Sequence, residues 1–156
     1  MKRTTHLPFF LLILLTCSAL FYTLPAYAQD NSMKKEILRY INQHRTDMGL
    51  HPLTTNSIIE DEALTHSNNM AKGRIPFGHD GFDDRMGRIM KQIKPSHAAA
   101  ENVAEGARTA REVVDIWLHS PGHRKNIEGN YTLTGIGIAT DRNGKLFFTQ
   151  IFILNK

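Results

Sequence analysis

The sequence predicts an α+β domain, with helices first and an antiparallel hairpin last. Three observations carry that reading. Apolar residues recur at helical spacing in several segments before residue 121. Two β-rich runs, 133–140 and 146–153, flank Asn143-Gly144, a strong hairpin signal because both turn residues tolerate positive φ. Apolar residues at 41% and charged residues at 22% of 156 describe an ordinary globular chain, not a disordered one. No stretch repeats at a fixed period, which argues against a solenoid or propeller. The single Cys, Cys17, excludes an intrachain disulfide framework and a multi-Cys metal cluster.

Residues 1–28 read as a secretory signal peptide. Lys2 and Arg3 make a basic start, 7–24 is uncharged and apolar, and Ala26-Tyr27-Ala28 supplies the small residues of a cleavage site. One alternative is an uncleaved anchor, because the run is near the minimum for spanning a bilayer. Another is a lipoprotein modified at Cys17, against which Thr16 stands where Gly, Ala or Ser is usual. Cleavage after Ala28 leaves residues 29–156 as one domain, removes the thiol and lowers the formal charge from +4 to +2. Part of the basic balance thus belongs to the leader, and no nucleic-acid partner is expected from it. The expected location is secreted or periplasmic, with no membrane span after cleavage.

Each element of the remaining chain follows from local pattern. Ser32 can cap a first helix carrying Ile37, Ile41, His44 and Met48, and Gly49 ends it. Asn56 or Ser57 caps a second helix whose inner face is Ile59, Ala63, His66 or Ser67, and Met70, with Gly73 at its stop. Pro76, Gly78 and Gly81 mark a loop around His79. Asp83 or Asp84 starts a short helix with Met86, Ile89, Met90 and Ile93, closed by Pro95. Residues 102–104 read as a short strand. Thr109 opens the clearest helix, where Ala110, Val113, Val114, Trp117 and Leu118 form one broad apolar face and Pro121 ends it. Gly135 and Gly137 alternate with Ile136 and Ile138, which leaves one face of that strand bare; another element must approach its backbone closely.

Seven His follow residue 28. His44 and His66 fall on apolar helix faces and read as hydrogen-bonded structural residues. His51 and His97 read as surface residues. His119 and His123 do not make a zinc-protease motif: Ser120 stands where that motif has Glu, and Pro121 breaks the helix. His79 and His123 each follow a Gly and are expected in loops outside regular helices, where site residues tend to be displayed. Two imidazoles with Glu101 would match a known zinc ligand set with one open position, although the spacing alone is not diagnostic. A Ser120–His123–Glu101 triad can be drawn, against the plainer reading that Ser120 terminates the helix. The chain has no G-x-S-x-G, P-loop or dinucleotide fingerprint.

Three segments together carry a resemblance. They are Ile41-Asn42-Gln43-His44-Arg45 with Gly49-Leu50-His51-Pro52-Leu53, then Ala100-Glu101-Asn102-Val103-Ala104-Glu105-Gly106, and finally the run from Trp117 through Ser120-Pro121-Gly122-His123-Arg124 to Asn126-Ile127, followed by Tyr131 and Thr134 to Ala139. In order, and across residues 33–153, they resemble the bacterial branch of the CAP superfamily, the SCP-like domains. The resemblance implies an α-β-α sandwich with a small antiparallel sheet between helices. It also implies a shallow cavity built by two His and two acids. Carried over, these look like His79, Glu101 and His123, with Ser120 where the second acid would be. Ala100 replaces the Gly that usually precedes the Glu-Asn pair. The family tetrad sometimes holds zinc or another divalent cation; here the loss of one carboxylate should weaken any metal, and Ser120 could serve as a hydrogen-bond partner behind the ligands.

The resemblance settles no activity. The leading expectation is an envelope or extracellular binding module whose His79–Glu101–His123 cavity takes a divalent metal or small ligand, with a small molecule, lipid or cell-wall component as partner. The first alternative is a metal-assisted hydrolase of peptide or peptidoglycan, with Glu101 as base if it is not a ligand. The second is a purely structural hydrogen-bond network.

Overall fold

The computed structural model describes residues 26–156, with side chains from Asp30 onward. The signal-peptide reading of 1–25 lies outside the described residues, and the expected cleavage point after Ala28 falls in the first turn of a helix. Among the described residues no helix is long and apolar enough to cross a membrane.

Helix α1 spans Ala26–Asp47 and so begins before Ser32, the expected cap. No Gly or Pro interrupts the sequence between those ends, so nothing stops the helix from extending backward. Strand β1 is the two residues Thr54–Thr55. Helix α2, Ser57–Ala71, is capped by Asn56, whose side chain accepts from the Ile58 and Ile59 amides. Its expected inner face is buried in full: Ile59, Ala63, His66, Ser67 and Met70. Helix α3, Phe82–Gln92, starts after Gly81 in the left-handed region. Strand β2, Ala98–Glu105, is eight residues long, where the sequence suggested three; its run of Ala gave no apolar alternation to read. Helix α4, Ala110–His119, begins at the Thr109 cap.

A seven-residue helix, α5 (Pro121–Ile127), follows directly and corrects the expectation that His123 sits in a loop. Pro121 ends α4 but occupies the first turn of α5, where its missing N–H is harmless. Strands β3 (Leu133–Thr140) and β4 (Leu146–Leu154) form the expected hairpin. Only Gly144 takes positive φ in its connection. Asp141 instead organises the loop, its Oδ1 accepting from the Asn143 and Lys145 amides at 2.8 Å each.

The sheet order is β1-β3-β4-β2. The long pairs are antiparallel, while the short β1–β3 pair is parallel, so the sheet is mixed where an antiparallel one was expected. One face packs on α1, α4 and α5 through Ile37, Ile41, Val113, Trp117, Ile127, Phe148 and Phe152. The other packs on α2 and α3 through Ile59, Ala63, Met86, Ile89 and Ile151. This is the α-β-α sandwich. The bare face of β3 is covered by α2: a Cβ at Gly135 would meet the Ile59 and Glu60 backbone at 2.3–2.4 Å, and one at Gly137 would meet Ala63 and Leu64 at 2.2 Å.

Candidate functional site around Glu101

Glu101 lies mid-β2, 5% exposed, on the sheet's long antiparallel pair opposite Ile151. A buried carboxylate must be matched by donors, and three elements supply or surround them. From the α2–α3 loop, His79 Nδ1 lies 2.9 Å from Oε1. From α3, Arg85 Nε donates to Oε2 at 3.0 Å, and Nη2 donates to Oε1 at 2.8 Å and Oε2 at 2.9 Å. From α2, His66 Nε2 stands 3.8 Å from Oε1, with both side chains 1% exposed.

The loop that carries His79 is pinned on each side of it. His66 Nε2 donates to the Gly78 carbonyl at 2.9 Å, and Arg85 Nη1 donates to the Asp80 carbonyl at 2.7 Å. Gly78 has φ +146, which suits the absence of a side chain just before His79. Because a carboxylate only accepts, the neutral His79 ring carries its hydrogen on Nδ1 and leaves Nε2 as a bare lone pair. The His79 side chain is 50% exposed. Glu101 therefore stands behind the ring and orients it, the arrangement in which a carboxylate sets the tautomer of a functional imidazole.

His123 reaches the same region from α5. Asn102 Nδ2 donates to the His123 carbonyl at 3.1 Å. Asn126 Nδ2 donates to the Glu101 carbonyl at 3.2 Å and to Asn102 Oδ1 at 2.9 Å. These amide bonds fasten α5 to β2 and give physical meaning to the Glu-Asn and His-Arg-Lys-Asn motifs. Trp117 Nε1 adds a bond from α4 to the Val103 carbonyl at 3.2 Å. Burial holds the His123 ring below its ordinary pKa, and the neighbouring His79 pushes in the same direction. His123 Nδ1 is buried without a hydrogen-bond partner. His66 is likewise held low, chiefly by burial, against the opposing pull of the Gly78 carbonyl and Glu101.

Of the residues the sequence nominated, the structure joins His79 to Glu101 by a hydrogen bond and places His123 close enough to His79 for the two rings to interact electrostatically. Ser120 stands apart from the hydrogen-bonded set. It links α4 to α5 as cap of both, and its side chain makes no capping bond. Among the described residues no group of three or more His, Cys, Asp or Glu is arranged to hold a metal ion. The donor chemistry explains this: the Arg85 fork covers both Glu101 oxygens, so the carboxylate offers no free edge to a cation. A three-donor metal centre at His79, Glu101 and His123 does not fit this arrangement.

A cleft of about 220 Å³ borders the cluster, lined among others by His66, Asp80, Asp84 and Arg85. Larger clefts of about 700 and 800 Å³ flank the β3–β4 turn instead. Sequence reasoning missed Arg85 as a site residue. Its signal was present: Arg85 precedes Ile89 by four positions on the buried face of α3, and an Arg on an apolar face requires a buried acid.

The comparisons with known proteins agree with this fold. The chain is 33% identical over 138 residues to the uncharacterized protein YkwD of Bacillus subtilis (strain 168), covering 84% of this chain and 51% of that protein. It is 30% identical over 129 residues to the uncharacterized membrane protein YlbC of the same organism, covering 80% of this chain and 35% of that one. The chain thus spans about half of the first relative and about a third of the second. Among solved structures, an extracellular protein containing a SCP domain from Bacillus anthracis superposes with TM-score 0.68 at 28% identity, over 85% of this chain and 44% of that one. An outer surface protein from Borrelia burgdorferi gives TM-score 0.67 at 22% identity, over 80% of this chain and 94% of that one. The CAP family model, described as the cysteine-rich secretory protein family, matches residues 38–152. That span holds α2 to α5, β1 to β3 and every residue that touches Glu101, and the chain belongs to the CAP, or cysteine-rich secretory protein, family.

Proposed function

We propose that this CAP domain is an exported binding module and that the His79–His123 pair is its recognition point for a small polar ligand of the cell envelope. The observation that carries the reading is the His79–Glu101 hydrogen bond. It turns a half-exposed ring so that Nε2 presents a lone pair, and places that ring near a second imidazole that burial keeps neutral. The lone pair on His79 Nε2 accepts a hydrogen bond, so the ligand it suits offers hydroxyl or amine donors, as sugars and peptides of cell-wall material do. Export is supported by the leader-like pattern of residues 1–28 and by the extracellular and outer-surface descriptions of two structural relatives.

The test is a titration of the purified domain with soluble peptidoglycan fragments, followed by NMR of the imidazole ring protons. Saturable shifts at His79 and His123, absent in His79→Ala and preserved in His51→Ala, are expected. Unmoved rings at millimolar fragment would leave the second reading, in which the cluster only fastens α2, α3, β2 and α5 together. That reading draws on the Glu101 oxygens, both satisfied inside the protein. The hydrolase reading gains no support, because Arg85 and His79 engage the one carboxylate that would serve as base.

A further inference from the structure

A carboxylate on the inner part of a sheet has to be neutralised, and removing its partner leaves an uncompensated buried charge. A divalent cation is one solution. The cation that this chain supplies is covalently attached. Three acceptor oxygens converge on the Arg85 guanidinium: Glu101 Oε1 at 2.8 Å, Glu101 Oε2 at 2.9 Å and the Asp80 carbonyl at 2.7 Å. A two-oxygen carboxylate edge with a backbone carbonyl is also the ligand chemistry of a hard divalent ion. Arg85 is 5% exposed, so the guanidinium fills the interior and does not lie along the surface. The fork also fixes geometry. It holds Glu101 in the plane where Oε1 meets His79, and its third arm holds the loop beside His79.

We propose that Arg85 is the resident cation of this site, standing where a divalent metal would neutralise Glu101, so that the His79–Glu101 pair is assembled without metal and a cation site opens only when Arg85 is removed. The proposal goes beyond the ligand reading above and holds whether or not a cell-wall fragment binds. Arg85 is a positioning residue in this account: it acts on the recognition ring through Glu101. It also explains how His79 can be oriented although Ser120 replaces the second acid of the family tetrad. One carboxylate suffices when a guanidinium holds it from behind.

The test is thermal unfolding of the full domain with EDTA, with zinc chloride and with calcium chloride, compared with Arg85→Met and with Arg85→Met/Glu101→Gln. The native chain is expected to melt at the same temperature under all three conditions. Arg85→Met is expected to melt well below it in EDTA and to gain more than about 5 °C with one of the two cations. The double variant, which has no buried charge left at this site, is expected to ignore both. If Arg85→Met fails to fold in EDTA, refolding in the presence of either cation replaces the shift as the readout. An EDTA-induced fall in the melting temperature of the native chain would overturn the proposal. So would an Arg85→Met variant that neither cation stabilises or refolds.

Discussion

His66 Nε2 donates to the Gly78 carbonyl at 2.9 Å while its other ring nitrogen, Nδ1, is buried with no partner. A helix-borne imidazole thereby fixes the residue before His79, in the neutral form that its environment favours. Burial lowers the pKa of His66 and of His123 from the ordinary value of 6.5. Between the folded and unfolded values the unfolded chain binds more protons, so stability rises with pH in that window. The melting temperature should hold above about pH 6.5 and fall as the pH drops below it. Thermal scans between pH 5 and 8 check this, and His66→Gln, whose amide can still reach Gly78, should flatten part of the slope.

The second expectation concerns Glu101. Glu101→Gln leaves the Arg85 guanidinium buried without its counter-charge and replaces an acceptor with a donor facing it. Breaking a buried pair from one side costs about 3–5 kcal/mol. Urea unfolding should show a loss in that range. A change below about 1 kcal/mol, typical of exposed pairs, would mean that the ion pair is not buried as described.

Gly137 makes a third. Its Cβ would lie 2.2 Å from the α2 backbone at Ala63 and Leu64. Backbone cannot step aside as a side chain can, so Gly137→Ala should destabilise by about 3 kcal/mol, at or above the usual overpacking range. Gly122→Ala, where a Cβ meets nothing within 4 Å, is the control and should be close to neutral by the same denaturation assay.

The amide bonds between β2 and α5 make a fourth. Asn126→Ala removes donors to the Glu101 carbonyl and to Asn102 Oδ1. A seven-residue helix has little stability of its own, so this loss should free α5 and raise amide hydrogen exchange across 121–127 before the sheet opens. Global stability should fall by about 1–3 kcal/mol, the range for leaving buried acceptors unsatisfied.

Much of this fold is legible in local pattern because its signals are local. Asn56 and Thr109 announce their helices through short side chains that accept from the first-turn amides. The bare stripe of Gly135 and Gly137 announces a close neighbour, though not that the neighbour is α2. What pattern could not show is long-range. The two-residue strand β1 exists only because Thr54 and Thr55 meet β3, and α5 exists in part because Asn102 and Asn126 hold it. Arg45 is another such case. It reads as one member of a motif, but its buried guanidinium collects the carbonyls of His51, Ile127, Gly129 and Tyr131. At the site, His79 and Glu101 are legible through the family resemblance. Arg85 is legible only as an Arg four positions before Ile89 on the apolar face of α3; that its partner is Glu101, sixteen residues away on β2, is long-range and shows only in the fold.

Glu101 sets the tautomer of His79, and nitrogen-detected NMR of the ring reads that tautomer. The expected result, read at a pH high enough that the ring is neutral, is a hydrogen on Nδ1 with Nε2 bare, shifting toward a mixture of tautomers in Glu101→Gln. A native ring already protonated on Nε2, or one indifferent to that substitution, would contradict it.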